Sequence, residues 1–374
     1  MHLIDSRAEL DRVVRELEEG STFYLDTEFE ATREGTTLCV MQLSSGGSIH
    51  LIDALRLSDL APLTRALGKA DAEWVLHAGQ QDVPLLVDRL KLETPPRLFD
   101  TQVAWGLTSA EPSVSLAYLQ FRMLGLRSGK AHQADDWKRR PLPDSQLAYA
   151  ASDIEHLPEM HAELRRKLES LGRLDIVREA SADLTWPSSD PPEPIALEDF
   201  RNAWQLDVHS QAALRFLITW HNELSPRERR FAPEQKTLLS IAARLPESGA
   251  DLARIKGVPR RWAQEQGERL VGRLMRATAE ADGSRFVPID PPPYATFEEI
   301  RIDAWLAFLR AEVCTALTVA PELALPGRVL KKLRRALLEH ESFDAAVNAT
   351  LGGWRHRLLA EAMAKVAARE PPPA

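Results

Sequence analysis

The sequence predicts an α/β domain, a mixed sheet flanked by helices, followed by two all-α modules. Three observations carry this reading. Residues 1–185 alternate strand-like and helix-like patterns. Beyond them, apolar residues recur at three- and four-residue steps with no convincing strand. Two proline-rich stretches, within 186–196 and 283–295, punctuate the chain and read as extended linkers, because proline blocks both helix and sheet ladders. The expected domains are therefore 1–185, 197–282 and 296–370, with Pro371 to Pro373 as a frayed tail.

The elements follow in order. Ser6, with Glu9 three residues on, is a capping-box start for a helix to about Glu19. FYLDTE (23–28), LCVMQLS (38–44) and SIHLID (48–53) read as strands. A helix is expected around 58–68, then a short apolar strand, WVLHA (74–78). Helices are expected over 81–91 and 114–124, and one long helix over 144–169. The second module shows helical periodicity over 214–224, 236–245 and 268–279, the third over 300–317, 328–340 and 354–368.

At 374 residues and 44% hydrophobic, the chain is ordinary globular protein, which excludes global disorder. No apolar run approaches the ~18 residues of a membrane span. Cys39 and Cys314 are far apart, which excludes a disulfide framework or a thiolate zinc site and points to the cytosol. The net charge of −8 argues at first against a nucleic-acid partner. It conceals an asymmetry: −13 over residues 1–200, +5 over 201–280 and +3 over 300–374.

The chemistry-bearing residues lie in the acidic front. Asp26 and Glu28 alternate at the end of an apolar strand, so both face one side. Asp82 follows the strand WVLHA (74–78) and its Ala78-Gly79 turn, near the start of a helix, where an N-terminal acid is also ordinary. Tyr149 and Asp153 stand four apart on a helix and stack on one face, with only small residues between them. Each pattern alone has an everyday structural explanation. Together they are four carboxylates and a tyrosine from three elements, and four acids converge only with cations between them. Hard oxygen ligands with no His or Cys pattern suit Mg²⁺ or Mn²⁺. Two such ions are the usual apparatus of phosphodiester hydrolysis.

These residues resemble the ribonuclease D family, in the DEDD superfamily of 3′–5′ exonucleases. The resemblance rests on Leu25-Asp26-Thr27-Glu28-Phe29 with Val40-Met41-Gln42-Leu43, on His77 through Asp82, and on Tyr149-Ala150-Ala151-Ser152-Asp153. Phe99-Asp100-Thr101, Asp136 through Leu142, Asn202 through Leu206 and Gly353-Trp354-Arg355 extend it over nearly the whole chain. It implies a ribonuclease H-like exonuclease domain of the tyrosine branch and two helical HRDC domains. It further implies two divalent metal ions on Asp26, Glu28, Asp82 and Asp153, and Tyr149 orienting the attacking water. The implied activity is release of nucleoside 5′-monophosphates from RNA 3′ ends, in tRNA 3′-end maturation, by a cytoplasmic monomer with no membrane partner. A DNA exonuclease and an inactive RNA-binding scaffold are the alternatives. The stretch Glu34-Gly35-Thr36-Thr37 is shorter than the family's, and Glu30 reads as a solvated turn acid.

Other residues stay open between support and RNA contact. They are Gln42, buried in an apolar strand; His77, at a strand end; and Arg140, in a basic stretch with Lys130, Lys138 and Arg139. In the last module Lys331, Arg334 and Arg335 share a helix face able to hold phosphates without reading sequence. Trp204 and Trp220 are expected in the core.

Overall fold

The structure is a computed structural model describing all residues except 1, 33–34, 128–134, 187–193, 230, 280–286, 292–295, 340–341 and 374. The chain forms two compact units, one of residues 1–187 with 297–374, the other of 188–296. The expected linkers 186–196 and 283–295 fall largely outside the described residues, as does Lys130.

The first unit is built on a six-stranded sheet: β1 (Leu3–Ile4), β2 (Thr22–Thr32), β3 (Gly35–Ser44), β4 (His50–Asp53), β5 (Glu73–Leu76) and β6 (Arg97–Asp100), in the order β1-β4-β3-β2-β5-β6. β2, β3 and β4 are antiparallel; β1–β4, β2–β5 and β5–β6 pair in parallel. The four expected strands are present, with β2 and β3 longer than expected. β1 and β6 were not foreseen: two residues carry too little pattern, and Arg97-Leu98-Phe99-Asp100 lacks a clean alternation. Cys39 is an extra residue between Leu38, opposite Phe29, and Val40, opposite Glu28. This bulge separates the turn-proximal end of the hairpin, with Glu30, from the segment bearing Asp26 and Glu28.

The first helix runs Arg7–Leu17, and the Ser6 hydroxyl accepts from the Glu9 N–H as expected. The expected long helix over 144–169 is two helices, Asp144–Glu155 and Leu157–Ser170. Pro158 has no N–H to donate, and His156 leaves helical geometry at φ −101°, ψ 2°. Helices Thr101–Gly106 and Leu174–Thr185 were also not foreseen.

Helices Phe297–Leu317, Gly327–Glu339, Phe343–Thr350 and Gly353–Arg369 carry the last module's pattern. Their apolar faces share one core with the front segment. Phe99, Leu107, Met160 and Val177 belong to the same buried cluster as Leu306, Val313, Trp354 and Met363. Polar ties join them as well: Arg173 donates to the carbonyls of Leu107 and Leu317, and Asp183 accepts from Trp354 and Arg355.

The second unit packs helices Val208–Glu223, Gln235–Arg244, Gly249–Ala253 and Arg260–Ala279 around Leu214, Leu217, Leu238, Ile241, Leu270 and Leu274. Trp220 is buried in this core, but Trp204 is 39% exposed, because it lies in a 3₁₀ turn ahead of the first helix. Among the described residues no helix is long and apolar enough to cross a membrane.

Candidate active site

β2 carries the first two acids. Asp26 and Glu28 project from one face, as strand periodicity requires, and helix Asp144–Glu155 packs against β2, β3 and β4. Small Ala150 and Ala151 lie at its buried contact with Val40 and Leu51. Asp153, on the same helix, thereby reaches the acids of β2: Asp26, Glu28 and Asp153 each offer an oxygen within 4.8 Å of the others.

Asp82 begins helix Asp82–Arg89 and is 8% exposed. It lies outside that closest group of three. Thr27, whose side chain points away from Asp26 and Glu28, donates its hydroxyl to Asp82 and holds it beside the strand. The loop before Asp82 is fixed by Asp100, whose carboxylate accepts from the N–H groups of Ala78, Gly79, Gln102 and Val103. Ala78 sits at φ +57°, a left-handed conformation that a residue with a Cβ adopts only when its surroundings enforce it.

Burial and crowding shift every acid in the same direction. Burial first, then repulsion from Asp82, Asp153 and Glu28, holds the Asp26 carboxyl well above the usual carboxylate range. Burial and repulsion from Asp153 and Asp82 push Glu28 up to about 8. Burial raises Asp153 to about 7, against a lowering hydrogen bond from Tyr149. Burial raises Asp82 to about 6, opposed chiefly by the Thr27 hydroxyl. At neutral pH the cluster retains protons unless a cation takes their place. The donor set is all carboxylate oxygen, which fits a hard divalent ion. Tyr149 stands one helical turn before Asp153, its ring 6.3 Å from that of Trp137.

The remaining candidates are placed differently. Arg140 is engaged inside the protein: its Nε and Nη2 grip Asp53 at 2.6 and 2.8 Å, Nη1 donates to the Trp137 and Arg139 carbonyls, and Nη2 also donates to the Cys39 carbonyl. All five guanidinium donors are thus engaged. His77 has both ring nitrogens bonded, to the Thr101 hydroxyl and the Val114 carbonyl, each at 2.9 Å, so it braces the loop. Gln42 is fully buried, and neither amide atom has a partner. In the last module Arg334 pairs with Glu299 and Asp303, and Arg335 with Glu339, so the expected phosphate face is partly occupied by ion pairs. Lys331 lies on that same helix.

Sequence reasoning gave no role to Thr27, Asp53 and Asp100. Asp100 had a usable signal, since it N-caps helix Thr101–Gly106. Thr27 and Asp53 had none, because their partners, Asp82 and Arg140, are 55 and 87 residues away.

Residues 1–169 match the family model described as a 3′–5′ exonuclease, and residues 212–274 match the HRDC domain. Ribonuclease D of Gluconacetobacter diazotrophicus is 33% identical over 373 residues, covering 96% of this chain and 91% of that protein. Ribonuclease D of Pseudomonas paraeruginosa is 28% identical over 351 residues, covering 91% and 90%. The crystal structure of Escherichia coli RNase D, described as an exoribonuclease involved in structured RNA processing, is similar with a TM-score of 0.70. At 23% identity over 99% of both chains, that likeness is one of fold.

Proposed function

The chain belongs to the ribonuclease D family and is a 3′–5′ exoribonuclease; from that premise we propose that it works by two-metal-ion hydrolysis. Asp26, Glu28, Asp82 and Asp153 would hold two Mg²⁺ ions, with Mn²⁺ as a substitute. The products are nucleoside 5′-monophosphates. The observation that carries this reading is the convergence of Asp26, Glu28 and Asp153 within 4.8 Å, with Asp82 beside them on Thr27.

Divalent ions at such a site supply an activated water and steady charge developing on the phosphate. The protein's own groups set the stage for that chemistry. Thr27 fixes Asp82, and the Asp100 amide cradle fixes the loop from which Asp82 springs. Tyr149, hydrogen-bonded to Asp153, presents its hydroxyl at the edge of the cluster, where it orients the attacking water. This role puts the chain in the tyrosine branch. We further read the helices of 296–370 as a second HRDC-like module, in addition to the one matched at 212–274. The basic balance of +5 over 201–280 and +3 over 300–374 supports their holding RNA by its phosphates. The substrate we propose is a tRNA precursor with a single-stranded 3′ tail, processed by a monomer in the cytosol.

The test uses a 5′-labelled tRNA precursor with a 3′ tail, a matched DNA strand, and Mg²⁺ present or chelated. Stepwise shortening from the 3′ end, dependent on metal and lost in Asp26→Asn and Asp153→Asn, is the expected outcome. Undiminished cleavage in both variants refutes the assignment. Equal rates on DNA would make the polymer preference wrong while leaving the chemistry standing.

A further inference from the structure

The residue left without a task is Gln42. It lies in β3 directly opposite Asp26 of β2, and residues so paired in antiparallel strands share a face with Cβ atoms ~4.5–5.5 Å apart. It is 0% exposed, which removes it from direct contact with RNA. Neither its amide nitrogen nor its amide oxygen has a hydrogen-bond partner. Its other neighbours on this face are Leu51, opposite on β4; Val40, two residues along, in one buried cluster with Ala150 and Ala151 of the covering helix; and Ser44, two residues the other way, whose hydroxyl accepts from the Gly46 N–H. An amide enclosed this way loses its hydration with nothing in return, and such groups in native proteins ask for an explanation. The polar side chain directly across the strand pair is the Asp26 carboxylate.

We propose that Gln42 is a positioning residue for the carboxylate cluster: unpaired in the metal-free chain, its amide N–H donates to the Asp26 carboxylate when a divalent cation binds and fixes the rotamer that presents the second oxygen to that cation. The inference rests on the metal-dependent reading of the site given above. A carboxylate on a strand, hydrogen-bonded through one oxygen, offers the other in a single direction. Without a donor to receive it, the carboxylate keeps sampling rotamers around a bound cation, and the ligand set holds that cation less tightly. Orientation of metal ligands by a surrounding hydrogen bond is a general device, and its loss characteristically weakens metal binding.

Gln42→Met keeps length and shape and removes both polar atoms. In the full-length chain without RNA, calorimetric Mn²⁺ affinity is expected to fall about tenfold, the equivalent of one charge-assisted hydrogen bond. Thermal stability of the metal-free variant should equal or exceed the parent's, because replacing an unpaired buried amide by an apolar group is neutral or favourable. In turnover, half-saturating metal should rise by a similar factor, with KM for RNA unchanged. Mn²⁺ affinity equal to the parent's overturns the proposal. A raised KM with unchanged metal affinity also overturns it, making Gln42 a substrate contact instead. Should Met disturb the fold, Gln42→Leu carries the same comparison. A parent chain that takes up no Mn²⁺ at all would overturn the metal reading itself, an outcome separate from any difference between parent and variant.

Discussion

Arg140→Met separates a structural clamp from an RNA contact. The Asp53 side chain is 1% exposed and that of Arg140 14%, so the pair is essentially out of water. Burial alone would raise the Asp53 carboxyl, but the Arg140 guanidinium and the N–H groups of Arg56 and Leu55 bring it below the ordinary carboxylate value. Methionine retains the apolar stem and leaves that charge without its cation. Removing one partner of a buried pair costs about 3–5 kcal/mol. The two backbone donors that remain, at 3.0 and 3.1 Å, offset part of this. We therefore expect a loss of about 3 kcal/mol. The double variant Asp53→Asn/Arg140→Met should recover about half of it, since no charge is then stranded. The assay is equilibrium urea unfolding of the full chain, followed by tryptophan fluorescence, with Trp137 buried beside the clamp. A loss below ~1 kcal/mol together with a tenfold drop in RNA affinity would refute the clamp and restore Arg140 as a phosphate contact.

Two further outcomes follow from the same geometry. With metal chelated, stability should fall as pH rises. The cluster acids have folded pKa values above their unfolded ones, so their stabilising protonated state is complete below about 4 and lost as pH climbs to the value of about 8 at Glu28. Added Mg²⁺ should abolish that slope, and Glu28→Gln should flatten it; a slope unaffected by either would sink the electrostatic account. The second concerns autonomy. Because Phe99 and Met160 share one buried cluster with Val313 and Trp354, a fragment of residues 1–187 should bind a hydrophobic dye and unfold without cooperativity, whereas 188–296 should unfold cooperatively alone. Cooperative melting of 1–187 would show that its core closes without the last helices.

The candidate acids were legible as a set because local geometry fixes the face each occupies. Period two in FYLDTE aligns Asp26 with Glu28, and an i,i+4 step aligns Tyr149 with Asp153. Their order along the chain carried the family resemblance as well. The helix break at Pro158 carries a local signal too, since proline has no N–H to donate, but the apolar periodicity of 144–169 runs through it. Charge also misled. Arg140 reads in sequence as one of a basic run, and nothing nearby says that its partner is Asp53.

The sequence by itself determined the chemistry on offer: four acids and a tyrosine on defined faces, an α/β front and a helical back. Only the tertiary structure decided which groups meet. It drew Asp26, Glu28 and Asp153 within 4.8 Å, tied Asp82 to Thr27, engaged Arg140 and His77 in bracing, and left Gln42 facing Asp26. It also merged the last helices with the catalytic core. The physical reason is range. Periodicity fixes the direction of a side chain within its own element, whereas desolvation and hydrogen-bond pairing depend on neighbours brought from far along the chain by packing.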